Sequence, residues 1–386
     1  MLSQRVRNIA PSATLVIDTK AKQLKKEGKD VVIFGAGEPD FNTPENIKLA
    51  AKKAVDSDMT RYTPVGGILE LKKTVADKFK RINKIGYDVS EIIIGCGGKH
   101  ILYNVMMSLL EKGDEAILPV PYWVSFEEMI KLAEAKSVLC ETDEKFRLTA
   151  EKVDEKTTSK TKLLVLNSPN NPSGAVVDPI EIKKIAKLAV DNNFYVISDE
   201  VYEYFVYGDN RHVSIASLND DIKKLTITTN SVSKTYAMTG WRIGYCGADG
   251  EIIKGMENLQ GHSTGNPSNI AQMAALEAFT GQQDSIGQMM VAFDERRRFM
   301  HKRLNEIKGI SCVEPQGAFY AFPDISETGM GSMAFSSRLL DEALVAVVPG
   351  IAFGSDKHVR LSYATSIHEI ERGMDRIEKW AKGIKK

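Results

Sequence analysis

Nothing in this chain marks it for an oxidising compartment, a membrane or a polyanion. Its four cysteines, Cys96, Cys140, Cys246 and Cys312, lie far apart in 386 residues. No CxxC pair occurs, which argues against a zinc ribbon and a redox dithiol. Thiols so isolated read as buried and free, the state a reducing compartment maintains. No stretch of 18 apolar residues exists, so no membrane-spanning helix is expected. The opening MLSQRVRNIAPSA contains no apolar segment of signal-peptide length. Charge of one sign is lacking as well, because 51 Lys+Arg balance 51 Asp+Glu for a formal net charge of +0. That balance gives no electrostatic case for a nucleic-acid or anionic-membrane partner. A cytoplasmic enzyme acting on small molecules is the expectation that these absences leave.

Several common chemistries are missing too. The six histidines show no ligand spacing, no HExxH helix occurs, and no metal is expected. No GxxxxGK[ST] phosphate loop is present. Gly35, Ala36 and Gly37 follow the strand-like VVIF, but the third glycine of a dinucleotide fingerprint is absent and Pro39 follows. There is no low-complexity tract, fixed-period repeat or Pro/Gly-rich linker.

What is present is a large α/β pattern. At 43% apolar and 26% charged residues, the chain has ample material for a core, and its length suits two domains or one large body. Short apolar runs at 92–94, 116–118, 163–166, 195–198, 225–229 and 243–246 read as strands. Helical spacing at 100–110 and 180–190 falls between them, the latter carried by Ile182, Ile185, Ala186 and Ala189. Strands alternating with helices predict a mostly parallel sheet covered on both faces. Beyond that region the pattern changes to a charged helix over 289–307, strand-like pieces at 318–322, 344–348 and 359–363, and a helix from about 367. This reads as a smaller α+β domain.

In such a sheet, ligands bind beyond the carboxyl ends of the strands, and the unusual polar residues fall there. Gly97, Gly98 and Lys99 follow the first strand, Asn171 and Pro172 the third, Asp199 the fourth, and Ser231, Ser233 and Lys234 the fifth. Any one of them is explained by a turn or a surface charge; four strand ends together point to one shared site. CGGKH opens a helix, whose free N–H groups suit a phosphate. Ser231, Ser233 and the fork of Arg242 add donors. Asp199 suits a carboxylate that keeps a pyridine nitrogen protonated. Lys234, set between hydroxyls and an apolar stretch, suits a desolvated amine able to form a Schiff base.

With those residues assembled, the sequence resembles the fold-type I, class I/II aminotransferases, particularly the bacterial aspartate aminotransferases of the Iβ kind. The resemblance covers nearly the whole chain, through PSATLVIDTKAKQL (11–24), GAGEPDFNTPENI (35–47), RYTPVGGILELKK (61–73), GGKHILYN (97–104), PYWVSF (121–126), NSPNNPSGAVV (167–177), SDEVYEYFVY (198–207), SVSKTYAMTGWRIGY (231–245), EPQGAFYAF (314–322) and VRLSYATS (359–366). S-x-S-K with an arginine eight residues on is highly specific, the more so beside NPSG and DEVY.

The resemblance implies a fold with a seven-stranded, mostly parallel sheet in a large domain over 46–285. It implies an N-terminal arm and part of a small domain at 1–45, and a small domain at 286–386. It implies pyridoxal 5′-phosphate (PLP) held as a Schiff base by Lys234, which also moves the proton. Asp199 would pair with the ring nitrogen, Tyr202 and Asn171 would bond the phenolic oxygen, and Trp123 would stack on the ring. Gly98, Lys99, His100, Ser231, Ser233 and Arg242 would hold the phosphate. Tyr62 would reach the phosphate of a neighbouring subunit, implying a homodimer with shared sites. Arg360 would grip the substrate α-carboxylate, with Gly37 in the loop that closes on it. Trp123 and Asn171 would also face the substrate. Amino acids and 2-oxo acids are the substrates implied, exchanged by ping-pong kinetics.

Side-chain specificity stays open at this point. QGHSTGNP (260–267) offers no arginine for a second carboxylate and departs from the usual serine- and threonine-rich form, whereas Lys99 in the GGK motif resembles the substitute that favours aspartate and glutamate. Prephenate-accepting relatives carry a basic residue before PSAT, and here Ala10 precedes Pro11. Alanine, aromatic or prephenate specificity and a PLP-dependent β-lyase remain as alternatives. A PLP-sensing regulator is a third class, but it carries an N-terminal helix-turn-helix domain, and this chain begins almost at the family's first residues.

Overall fold

The computed structural model describes residues 2–9 and 13–383. Its centre is a seven-stranded sheet made of β1 (Ile92–Gly95), β2 (Glu115–Val120), β3 (Lys136–Glu141), β4 (Thr161–Asn167), β5 (Tyr195–Asp199), β6 (Thr226–Ser231) and β7 (Gly244–Gly247). The spatial order is β1-β7-β6-β5-β4-β2-β3. Pairing is parallel from β6 through to β3, while β7 is antiparallel to both β1 and β6. The sheet is thus mostly parallel, as its sequence pattern predicts.

Strands buried on both faces become continuous apolar runs. Ile92, Ile93 and Ile94 are fully buried, and so, to within 2% exposure, are Leu163, Leu164, Val165 and Leu166. One face packs on helix α1 (Gly98–Leu109) through Ile101, Leu102 and Val105. The other packs on the helix Pro179–Asn192 through Ile182, Ile185, Ala186 and Ala189. That helix is capped by Asp178, whose side chain accepts from the Ile180 amide, and it carries Pro at its start, a strong N-terminal signal. Strand β3 has no counterpart in the sequence reading. It is a sheet edge paired only with β2, and of KSVLCE only Cys140 is buried, so no apolar run announces it.

The N- and C-terminal parts of the chain meet. Val32–Ile33 pairs in parallel with Val345–Ala346, and Val348–Pro349, Val359–Ser362 and Tyr320–Ala321 form a three-stranded antiparallel sheet. The pieces are shorter than the runs expected at 318–322 and 344–348. Ala318 and Leu344 adopt φ of 56° and 56°, which breaks an extended strand, and the chain changes partner around Val347. Helices α2 (Asp284–Glu306) and α3 (Ile367–Lys382) cover these sheets through Met289, Phe293, Ile370 and Met374. Among the described residues, no helix is long and apolar enough to cross a membrane.

Candidate active site

A cavity of about 570 Å³ opens beyond the carboxyl ends of β1, β4, β5 and β6. Gly37, Gly98, Lys99, Trp123, Asn171, Asp199, Tyr202, Ser231, Ser233, Lys234, Arg242 and Arg360 all line it. Two residues of the sequence-derived set do not. The amide of His100 donates to the Gly97 carbonyl at 3.0 Å, and its ring accepts from the Cys96 amide at 3.1 Å and meets Thr264 at 3.3 Å. Tyr62 is 97% exposed on the surface of this chain.

At the end of β1 the backbone turns sharply into α1. Gly97 adopts φ of +97°, and a Cβ there would lie 2.4 Å from Arg242 Nη2. Gly244 presses on the same turn, where a Cβ would come within 2.3 Å of the Gly98 amide nitrogen. Only glycine permits this approach. It leaves the first amides of α1, which have no carbonyl a turn earlier, beside Arg242. Across the turn, the Ser231 hydroxyl accepts from the Ser233 amide at 3.3 Å, and Asn230 Oδ1 accepts from the Ser231 amide at 2.7 Å. Lys99 Nζ sits 5.0 Å over the Trp123 ring. Burial, then the positive Arg242, pulls its pKa below the ordinary lysine value.

Asp199, at the end of β5, and Lys234, in the short helix Val232–Thr235 that follows β6, face this space. Burial pushes the Asp199 carboxyl up to about 7, with the Val201 amide opposing; that donor, at 3.3 Å, is a distant one. Burial also pushes the Lys234 amine down to about 8, against the pull of Glu38. Lys234 Nζ donates to the carbonyl of Gly37. The loop carrying Gly37 is pinned to the turn after Lys234, since Thr239 donates to Glu38 at 2.7 Å and Trp241 Nε1 to Thr43 at 3.0 Å.

Arg360 lies fully inside the cavity wall. Its Nη1 donates to Asn171 Oδ1 at 2.9 Å and its Nη2 to the Gly35 carbonyl at 3.0 Å, while Nε is buried without a partner among the described residues. Its guanidinium sits 4.5 Å from the Tyr320 ring and 5.0 Å from that of Phe353. The Tyr202 and Tyr320 hydroxyls are 2.9 Å apart. The lining residues absent from the sequence-derived set include Glu38, Asn167, Asn230, Tyr320 and Phe353. Tyr320 and Glu38 lie within the stretches EPQGAFYAF and GAGEPDF, but their own chemistry gave no signal before the fold placed them.

Against known proteins, a profile described as Aminotransferase class I and II matches residues 29–377. The chain belongs to that family. It is an aminotransferase. It is 46% identical to an aspartate aminotransferase of Bacillus sp. (strain YM-2), covering 99% of both chains. It is 45% identical to a probable aspartate/prephenate aminotransferase of Aquifex aeolicus (strain VF5), over 98% of both. Its fold superimposes on the aspartate aminotransferase of Thermus thermophilus solved with maleate at a TM-score of 0.95 and 41% identity, covering 98% and 99% of the two chains.

Proposed function

We propose that this aminotransferase uses pyridoxal 5′-phosphate to exchange amino groups between L-aspartate or L-glutamate and 2-oxoglutarate or oxaloacetate. The observation that carries the reading is the Lys234 amine in one cavity with the buried Asp199 carboxyl and Arg360; burial lowers the amine to about 8 and raises the carboxyl to about 7. The residues fit the cofactor. Asp199 is a desolvated carboxyl that accepts a long hydrogen bond from the Val201 amide, and a protonated ring nitrogen would supply a close charged donor. Lys99, Lys234, Arg242 and Arg360 line a space that suits a phosphate and two carboxylates.

Gly98, Lys99, Ser231, Ser233 and Arg242 would hold the phosphate, and Trp123 the flat face of the ring. Bound there, the pyridoxal group supplies an electron-withdrawing ring that acidifies the substrate α-C–H and a carbon that carries the amino group between half-reactions. Asp199 keeps a proton on the ring nitrogen. Tyr202 and Asn171 Nδ2 donate to the phenolic oxygen; Asn171 Oδ1 is already taken by Arg360. Arg360 orients the α-carboxylate that every amino acid and 2-oxo acid carries. Lys234 Nζ would take the proton from the substrate α-carbon and hold it for return, and its lowered pKa suits a general base at neutral pH. Lys99 receives the side-chain carboxylate. The relatives' names support aspartate, and maleate in the Thermus neighbour is a dicarboxylate of similar size. The reading includes a homodimer in which Tyr62 completes the neighbour's phosphate site. It also divides the chain at about 45 and 285 between a cofactor-holding body and a substrate-gripping one.

A half-reaction panel tests this. Aspartate and glutamate should bleach the visible band of the holoprotein, whereas alanine and phenylalanine should not; Lys99→Gln should remove that preference. Equal bleaching by all four would contradict the dicarboxylate assignment, and pyruvate with ammonia release would indicate a lyase. The name of the Aquifex relative supports a second reading, amination of prephenate by glutamate, assayed on the same protein. Ala10, where such relatives carry a basic residue, lies outside the described residues.

A further inference from the structure

We infer that Tyr320 is a positioning residue that couples the carboxylate grip of Arg360 to the phenolic donor Tyr202; the inference rests on the pyridoxal reading above. Tyr320 pairs with Ser362 across the antiparallel ladder, which sets its ring beside Arg360 on the neighbouring strand. The ring is 1% exposed yet borders the cavity. Two features of one side chain then act on two different groups. Its face lies 4.5 Å from the Arg360 guanidinium, a contact that strengthens as water is excluded. Its hydroxyl lies 2.9 Å from that of Tyr202, and the two rings meet edge-on with centroids 5.8 Å apart.

The direction of the hydroxyl pair follows from the chemistry. Tyr202 must keep its proton to donate toward the phenolic oxygen, so it accepts from Tyr320. A donor that itself accepts a hydrogen bond is polarised and donates more strongly. Tyr320 thereby lowers the basicity of the nitrogen held at Lys234 through Tyr202, while its ring keeps the guanidinium in the plane that a carboxylate meets. A Cβ at Gly37 would sit 3.4 Å from the same hydroxyl, so the loop expected to close on substrate passes beside the residue that serves both functions.

Removing the two features separately tests this on the holoenzyme. Tyr320→Phe keeps the ring and deletes the hydroxyl. It should leave KM for aspartate and 2-oxoglutarate within about twofold, lower kcat about tenfold, and raise the pKa of the visible band. Tyr320→Leu should in addition raise KM for both substrates at least tenfold. A residue that only fills the core would shift the melting temperature without separating kcat from KM or moving the band, and that result overturns the inference. So does a rise in KM in Tyr320→Phe equal to that in Tyr320→Leu. If Tyr320→Leu does not fold, the Tyr320→Phe spectrum and kcat decide alone. Failure of the pyridoxal reading itself is distinguishable, because the unsubstituted protein would then show no titrating band at all.

Discussion

Asp199 and Lys234 are each held away from the protonation that water would give them, and this has a cost that substitution can expose. The Asp199 carboxyl, raised from 3.8 to about 7, contributes stability that is fully present below about pH 4 and lost as pH rises through 7. The Lys234 amine, lowered from 10.5 to about 8, contributes stability present above about pH 10.5 and lost as pH falls through 8. At pH 8.5 the cofactor-depleted protein therefore buries an ionised, poorly partnered Asp199. Asp199→Asn should stabilise it there by about 1–3 kcal/mol, read as a higher melting temperature. The same substitution should slow transamination by roughly 100-fold or more, since the ring nitrogen loses its charge partner. The gain should shrink toward pH 4, where both side chains are neutral. An equal effect on stability at pH 4 and pH 8.5 would mean that burial of charge is not its source.

Between β1 and α1 the site depends on backbone shape more than on side chains. Gly97→Ala would place a methyl at positive φ and 2.4 Å from Arg242 Nη2, so the guanidinium must move out of the phosphate cup. The expected cost is about 1–3 kcal/mol of stability, and the equilibrium dialysis constant for pyridoxal 5′-phosphate should rise at least tenfold. Pyridoxal without the phosphate should be bound almost as before; a parallel loss for both ligands would locate the damage elsewhere. A second element-level device lies behind the sheet end. Asp199 and Tyr202 face the cavity, and the intervening Glu200 and following Glu203 turn into a buried polar network. Lys78 donates to Glu203, Asn83 to Glu200 at 2.8 Å and to Glu203 at 2.7 Å, and Asn230 to Glu203 at 2.7 Å. Asn230 in turn holds the Ser231 amide, so one network supports two of the segments that form the site. The strand ends were legible because apolar runs and the polar residues after them share a local pattern. This network was not, because Lys78, Asn83, Glu203 and Asn230 come from separate segments and look like solvated surface groups until burial gives them partners. Tyr320 is illegible in the sequence for the same reason: FYAF reads as strand core, and only the ladder with Val359–Ser362 turns one of its rings toward Arg360.

For the whole molecule, the proposed shared site predicts a second copy, because Tyr62 is exposed on this chain and does not line its own cavity. Sedimentation should give about twice the 42.7 kDa of one chain. Tyr62→Phe should weaken cofactor binding about tenfold without dissociating the dimer, as expected for loss of one hydrogen bond to a phosphate, roughly 1.5 kcal/mol. A monomer with full activity would contradict the shared site. Everything else in the account converges on one atom, Lys234 Nζ, and the most direct test labels it. Borohydride reduction of the holoprotein followed by peptide mass mapping should place a pyridoxyl group on the peptide containing Lys234, and prior addition of aspartate should protect that peptide. Label on a different lysine, or label retained in Lys234→Ala, would contradict the account.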